Sequence, residues 1–316
     1  MAENKKIATR ESYGRALVEL GKKDPRVVVL DADLAASTKT GVFQKAFPDR
    51  HFDCGIAEAN MTSIAAGLAA AGMIPFASTF AMFATGRAYE QIRNSIGYPH
   101  LNVKICASHA GISVGEDGAT HQCNEDFALM RTIPGMVVMN PADDTEARLA
   151  VLAAYNYEGP VYIRFGRLAV PVINDPETYE FEIGKAVTLK DGSDVTIVST
   201  GLMTARAMEA VKMLEAEGIN ARLINVHTLK PFDAEAICKA ARETGGVVTA
   251  EEHSVVGGLY TVTCEALIGG GVSCPVKPVA VMDEFGQSGP AEDLLKLYGL
   301  TAENIVAKVH EILDNK

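Results

Sequence analysis

The chain has 316 residues, 48% of them hydrophobic, enough for two ordinary domains or one large one around a sizeable core. Lysine and arginine total 29 against 40 aspartates and glutamates, a net charge of −11 with no basic run, which argues against nucleic acid or anionic lipid as partners. Nothing apolar follows the lysines of MAENKKIATR, so no signal peptide is expected, and six cysteines without a C-x-x-C pair point to reduced thiols in a cytoplasmic protein.

Strand and helix signals alternate from the start. RVVVL (26–30) predicts a strand ending at Asp31-Ala-Asp33. Residues 59–86 carry no charge, a length that could cross a bilayer. Glycines 67, 72 and 86, Pro75 and many alanines favour instead a small-residue helix over 60–71, a break, and a second buried segment. So much small apolar surface suggests an interior seam or a subunit interface. VKICA (103–107), MVVM (136–139) and VYIRF (161–165) predict further strands, and Asn140-Pro-Ala-Asp143 starts a helix running to about Tyr155.

Residues 169–193 are rich in Pro, Asp and Gly and read as an interdomain linker with a hairpin. Beyond them, strands at 195–200, 221–226, 246–252 and 275–281 alternate with helices at 201–218, 232–244 and 260–268, and two helices follow Pro290. The fold class is therefore α/β, in two domains (1–168 and 194–316), each a mainly parallel sheet flanked by helices, the second smaller and of about five strands. Ligands in such sheets bind outside the carboxyl ends of the strands. Asp31, Asp33, the loop after 107, Asn140 and Arg164 all fall there, whereas the second domain has no comparable concentration of polar groups.

Two polar features could carry chemistry. Residues 111–122 read GISVGEDGATHQ, with His109 just before them. The spacing H-x7-D-x3-H of His109, Asp117 and His121 matches no common zinc pattern, and G-E-D-G fits neither a calcium loop nor a Walker phosphate loop. A solvated turn is the plain reading. Convergence of these residues with Arg164 would instead make a site that relays protons and holds phosphate. The second feature is Glu58, which opens the alanine-rich helix. It is either an exposed charge favoured by the helix dipole or a dry carboxylate able to share a proton. Phe80 and Phe83, in STFAMFA, are either core or an aromatic platform for a flat heterocycle.

Taken together, these stretches resemble the transketolase family of thiamine diphosphate enzymes along most of the chain. ATRESYGRAL is similar to the family's entry motif, which implies that Arg10 binds substrate phosphate. DADLAAS resembles its A-D-L-x-x-S segment, implying Asp33 near the cofactor and Ser37 near the phosphate. FDCGIAEANM resembles its G-[IV]-x-E motif, implying that Glu58 protonates the cofactor's aminopyrimidine and Ile56 props the cofactor. STFAMF resembles the segment whose second phenylalanine stacks on the pyrimidine, hence Phe83 beside Phe80. SHAGISVGEDGATHQ is similar to the family's His/Asp loop, implying that His109 and His121 touch the sugars and Asp117 bonds the donor's C2 hydroxyl. YIRFGR implies Arg164 as a second phosphate ligand, and FGQSGPAEDLLKLYGLTAENIV resembles the family's C-terminal domain.

The resemblance departs in two places. The family's G-D-G followed by Asn, which holds a divalent metal (Mg2+ or Ca2+) and the diphosphate, is missing, and no metal ligand is assigned to this chain. The implied protein is the C-terminal subunit of a split transketolase. It would work with an N-terminal subunit bearing that motif, in a heterotetramer around a homodimer of this chain. Ala57 and Gly86 stand where transketolases often have Arg and Tyr, and G-I-A-E occurs in deoxyxylulose-phosphate synthases. The β-like subunit of such a synthase or of a 2-oxo acid dehydrogenase is therefore an alternative. A metal-dependent hydrolase and a non-catalytic regulatory partner are readings of other classes.

Overall fold

The computed structural model describes residues 5–314. Its strands, in chain order, are β1 (Lys6–Ala8), β2 (Val27–Asp31), β3 (His51–Asp53), β4 (Ile74–Phe80), β5 (Lys104–Ser108), β6 (Val137–Met139), β7 (Val161–Phe165), β8 (Ala169–Pro171), β9 (Val187–Lys190), β10 (Val195–Ser199), β11 (Ala221–Asn225), β12 (Thr228–Lys230), β13 (Val247–Ser254) and β14 (Val276–Val281). A seven-stranded sheet runs β12-β6-β7-β5-β4-β2-β3, parallel except for β12. A five-stranded sheet runs β14-β13-β10-β11-β9, parallel except for β9. The expected two α/β units are both present.

Side-chain alternation explains how the first sheet is covered. Val27 and Val29 of β2 point to one face, where they pack with Tyr13, Leu17 and Ala147 from the helices Thr9–Lys23 and Asp144–Asn156. Val28 and Leu30 point to the other, where Met61 and Ala65 of helix Glu58–Ala70 lie. Both faces are dry, so β2, β4, β5 and β7 are buried at every position, as an inner parallel strand requires.

Three sequence expectations change. The segment after Gly72 is a strand, β4, and it carries Pro75 inside it. The predicted hairpin in 169–193 does not form: β8 pairs antiparallel with β1, and β9 joins the second sheet beside β11. The charge-free helix is buried on only one side, since Asn60, Ser63, Ile64, Gly67 and Ala70 face outward. The two domains are also interlocked. β12, from the C-terminal half, extends the first sheet beside β6, and one apolar cluster runs from Val28 and Ile105 to Val198, Ile224 and Leu229.

Candidate active site

Strand register brings the functional turns to one edge. Phe80 pairs with Ser108 and Ser108 with Phe165, so β4, β5 and β7 end level, and β2 ends two residues short of them, where Asp31 pairs with Ser78. The strand order reverses between β2 and β4, which opens a crevice at their carboxyl ends.

The turn after β2 is tied down by Asp31. Its buried carboxylate accepts from the Leu34 N–H at 2.5 Å and from the Thr38 and Thr40 hydroxyls at 2.7 and 2.8 Å, and burial raises its pKa. Asp33 stands exposed on this turn at φ 59°. The Ser37 carbonyl accepts from Arg10 Nη1 at 2.7 Å, and the same nitrogen lies 3.5 Å from His109 Nε2.

The turn after β5 folds back over the edge because His109, Gly111, Gly115 and Gly118 all take positive φ, which costs a glycine little. His109 is 3% exposed and lies flat on Phe80, ring centres 3.9 Å apart, with Nδ1 2.8 Å from the Ser108 hydroxyl. Burial first, then the charges of Arg10 and Arg167, lower its pKa to about 3, which favours the neutral ring. His121 meets Phe83 edge-on at 5.3 Å, and Phe80 and Phe83 stack at 5.9 Å. The structure thus gathers Arg10, Ser37, Phe80, Phe83, His109 and His121. Asp117 is exposed on the same loop, beside Glu116, which Arg167 grips at 3.0 Å.

Glu58 opens its helix and is 1% exposed. Arg87, not singled out from the sequence, donates Nη1 to Glu58 Oε2 at 2.8 Å and sets its guanidinium 4.5 Å from the Phe83 ring centre. Arg87 ends a π-helical turn, Phe83–Arg87, a form that recurs at functional positions. Gly86 lies in this turn, where a Cβ would run into the Met82 methyl. Ile56, two residues before Glu58, is 77% exposed.

Arg164 does not join the cluster. Alternation along β7 puts it on the same face as Tyr162, and there it pairs with Asp126 at 3.3 Å and donates to the Glu252 carbonyl at 2.7 Å. It is buried in the interdomain seam, with Nε and Nη2 engaged there. Arg167, three residues on and past the strand end, is the arginine at the edge, where it also donates to the Val114 carbonyl.

The second domain is not poor in polar groups. β13 carries Glu251, Glu252 and His253, all buried against the first domain. Glu252 Oε1 accepts from the Ser113 N–H at 2.6 Å, and the 282–290 loop holds the G-E-D-G loop through Gln122 Nε2 to the Gln287 carbonyl at 2.9 Å and Ser288 Oγ to the Glu116 carbonyl at 2.6 Å. The wall that would face a sugar is therefore braced by both domains. Periodicity could not reveal this, because the contacts span well over a hundred residues.

Known proteins share this architecture. Residues 5–172 match the family described as transketolase, pyrimidine binding domain, and residues 184–305 match transketolase, C-terminal domain. The chain belongs to the transketolase family. A transketolase C-terminal section of Methanocaldococcus jannaschii is 48% identical over 96% of this chain and 95% of its own. The 6-deoxy-6-sulfo-D-fructose transketolase subunit SqwH of a Clostridium species is 45% identical over 97% and 95%. A solved structure described as a split gene transketolase, inactive beta4 tetramer, superimposes with a TM-score of 0.90 at 56% identity, over 98% of this chain and 99% of that one. Against the transketolase of Pichia stipitis, solved with sedoheptulose 7-phosphate, the TM-score is 0.83 and the chain spans 47% of the larger enzyme. This chain spans nearly the whole length of those transketolase subunits, and the family it belongs to is thiamine diphosphate-dependent. No helix among the described residues is long and apolar enough to cross a membrane.

Proposed function

We propose that this transketolase subunit transfers a two-carbon ketol unit from a ketose phosphate to an aldose or aldose phosphate. It acts only with an N-terminal subunit that bears the G-D-G…N motif and holds Mg2+ or Ca2+ with the cofactor's diphosphate. One observation carries this. A carboxylate buried to 1% exposure and a half-buried aromatic ring, Glu58 and Phe83, share one guanidinium, that of Arg87, at the crevice edge.

That pair fits the pyrimidine end of thiamine diphosphate. When bound, the cofactor supplies a stabilised carbanion for attack on the donor ketone. Glu58 shares a proton with the ring nitrogen, Phe83 stacks on the ring with Phe80 behind it, the exposed Ile56 props it, and Asp33 borders it. His109, neutral through its burial, takes or returns a proton at a donor hydroxyl, with His121 facing the same sugars and Asp117 bonding the C2 hydroxyl. Arg10, with Ser37 beside it, and Arg167 hold the phosphate end. Arg167 takes the role the sequence resemblance gave to Arg164, whose guanidinium is already spent on Asp126 and Glu252.

A relative described as an inactive beta4 tetramer supports the dependence on a partner. The outward, charge-free face of helix Glu58–Ala70 supports self-association of this chain and hence a heterotetramer around its homodimer. Six free cysteines support a cytoplasmic location. The hydrolase reading requires His109, Asp117 and His121 to converge on a metal, and no group of three such ligands is gathered among the described residues.

Co-expression with a partner bearing the motif, followed by assay of xylulose 5-phosphate against a panel of aldoses, tests the proposal. The complex should transfer ketol units and the chain alone should not. Full activity of the chain alone with thiamine diphosphate and magnesium would remove the partner requirement. Unchanged activity of a Glu58→Ala complex would leave the chain a regulatory partner, and condensation of pyruvate instead of ketol transfer would favour the deoxyxylulose-phosphate synthase type.

A further inference from the structure

Arg87 makes two contacts, and both are contacts that the cofactor's pyrimidine needs. Its Nη1 lies 2.8 Å from Glu58 Oε2, and its guanidinium sits 4.5 Å from the centre of the Phe83 ring. A guanidinium is planar, cationic and rich in N–H donors. It therefore offers Glu58 and Phe83 what a protonated aminopyrimidine offers them: an N–H for the carboxylate and a flat face for the ring.

The burial of the two partners is unequal. The Glu58 side chain is 1% exposed, while that of Arg87 is 50% exposed at the end of its π-helical turn. Glu58 has nowhere to go, and a carboxylate buried without a counter-charge is strongly disfavoured. Arg87 has solvent to swing into.

We infer that Arg87 is a placeholder for the pyrimidine ring. In the cofactor-free chain it neutralises Glu58 and covers Phe83, and the cofactor enters by exchanging one flat cation for another. This rests on the thiamine diphosphate reading above. Its consequence is a lowered apparent affinity, since only the fraction of molecules with Arg87 swung away is competent to bind.

The test uses the complete two-subunit enzyme with Arg87→Gln and Arg87→Lys, titrated with thiamine diphosphate by calorimetry, together with the thermal midpoints of the loaded and cofactor-free forms. Arg87→Gln should tighten binding by about fivefold or more. It should lower the midpoint of the cofactor-free form and leave that of the loaded form unchanged. Arg87→Lys, a cation without the flat face, should fall between. Unchanged or weaker binding by Arg87→Gln overturns the inference and makes Arg87 a spectator or a direct cofactor ligand. If the glutamine variant does not fold, the lysine variant decides by the same direction of change. If the wild-type complex takes up no thiamine diphosphate, it is the functional proposal that fails, and the two failures are distinct.

Discussion

Arg164 Nε lies 3.3 Å from Asp126 Oδ2, with the two side chains 3% and 0% exposed, and the guanidinium lies 4.5 Å from the Phe127 ring centre while it caps the Glu252 carbonyl. This arginine bolts β7 to β13 across the domain seam. Arg164→Met takes the cation away from the buried Asp126 and leaves it the Tyr162 hydroxyl at 2.7 Å, which should cost about 3–5 kcal/mol of folding stability. Urea unfolding measures it. A variant that folds normally but binds phosphosugars poorly would return Arg164 to the site.

Arg167→Gln should behave in the opposite way. Its ion-pair partner Glu116 has a side chain 64% exposed, so loss of the pair should change stability by less than about 1 kcal/mol. KM for a phosphorylated donor should rise about tenfold or more, with kcat nearly constant, because a binding contact common to ground and transition states is lost. Steady-state kinetics of the complex with phosphorylated and unphosphorylated donors would show the effect only for the former.

Glu251 and His253 sit two residues apart on β13, 3.8 Å from each other, and burial shifts them in opposite directions. Burial raises Glu251 from 4.5 to about 7 and lowers His253 from 6.5 to about 4. For Glu251 the folded state binds the extra proton, so its contribution is full below about pH 4.5 and is lost as pH rises through 7. For His253 the unfolded state binds the extra proton, so stability is lost as pH falls from about 6.5 towards 4. Between about pH 4.5 and 6.5 the slopes oppose. Glu251→Gln keeps an acceptor for one of the Leu259 and Tyr260 N–H groups, loses the other bond at all pH values, and removes one slope. Its loss of stability from pH 7 to pH 5 should exceed that of the wild type by about 1–2 kcal/mol. Equal losses in paired denaturant titrations would show that Glu251 is charged in the folded chain.

Gly111→Ala attacks the loop from within. The position takes φ 79°, and a Cβ there would run into the Glu252 carboxyl that holds the Ser113 N–H. The backbone strain and the displaced brace should together cost about 2–3 kcal/mol. Hydrogen exchange at Ser113 should rise with it. Preserved protection would mean that the loop does not depend on the second domain.

The long β-branched runs were legible because a strand covered on both faces must be apolar at every position. β4 was hidden by Pro75, which argues against an inner strand. Its register explains the exception: Pro75 pairs with Val28 on one side, but pairing with β5 starts only at Phe76↔Lys104, so no ladder bond is lost there. β3 was hidden because HFD is too short and too polar to carry a period. At the site, Glu58, His109 and the Phe80/Phe83 pair stood out through local oddity, a charge in a charge-free run or a histidine at a strand end. Arg164 misled because motif position does not reveal which face of β7 a residue takes. Arg87 and the brace from β13 were invisible because both depend on what lies opposite in space.

β12 contributes only three residues, Thr228–Lys230, yet they belong to one half of the chain by sequence and to the other by hydrogen bonding. A cut in the 169–193 segment would strip the first sheet of its edge strand and expose β6. The two halves are therefore not interchangeable modules that could be separated, swapped or expressed singly. Any catalytic motion must occur within the loops or between subunits, because the halves cannot hinge apart without tearing a sheet.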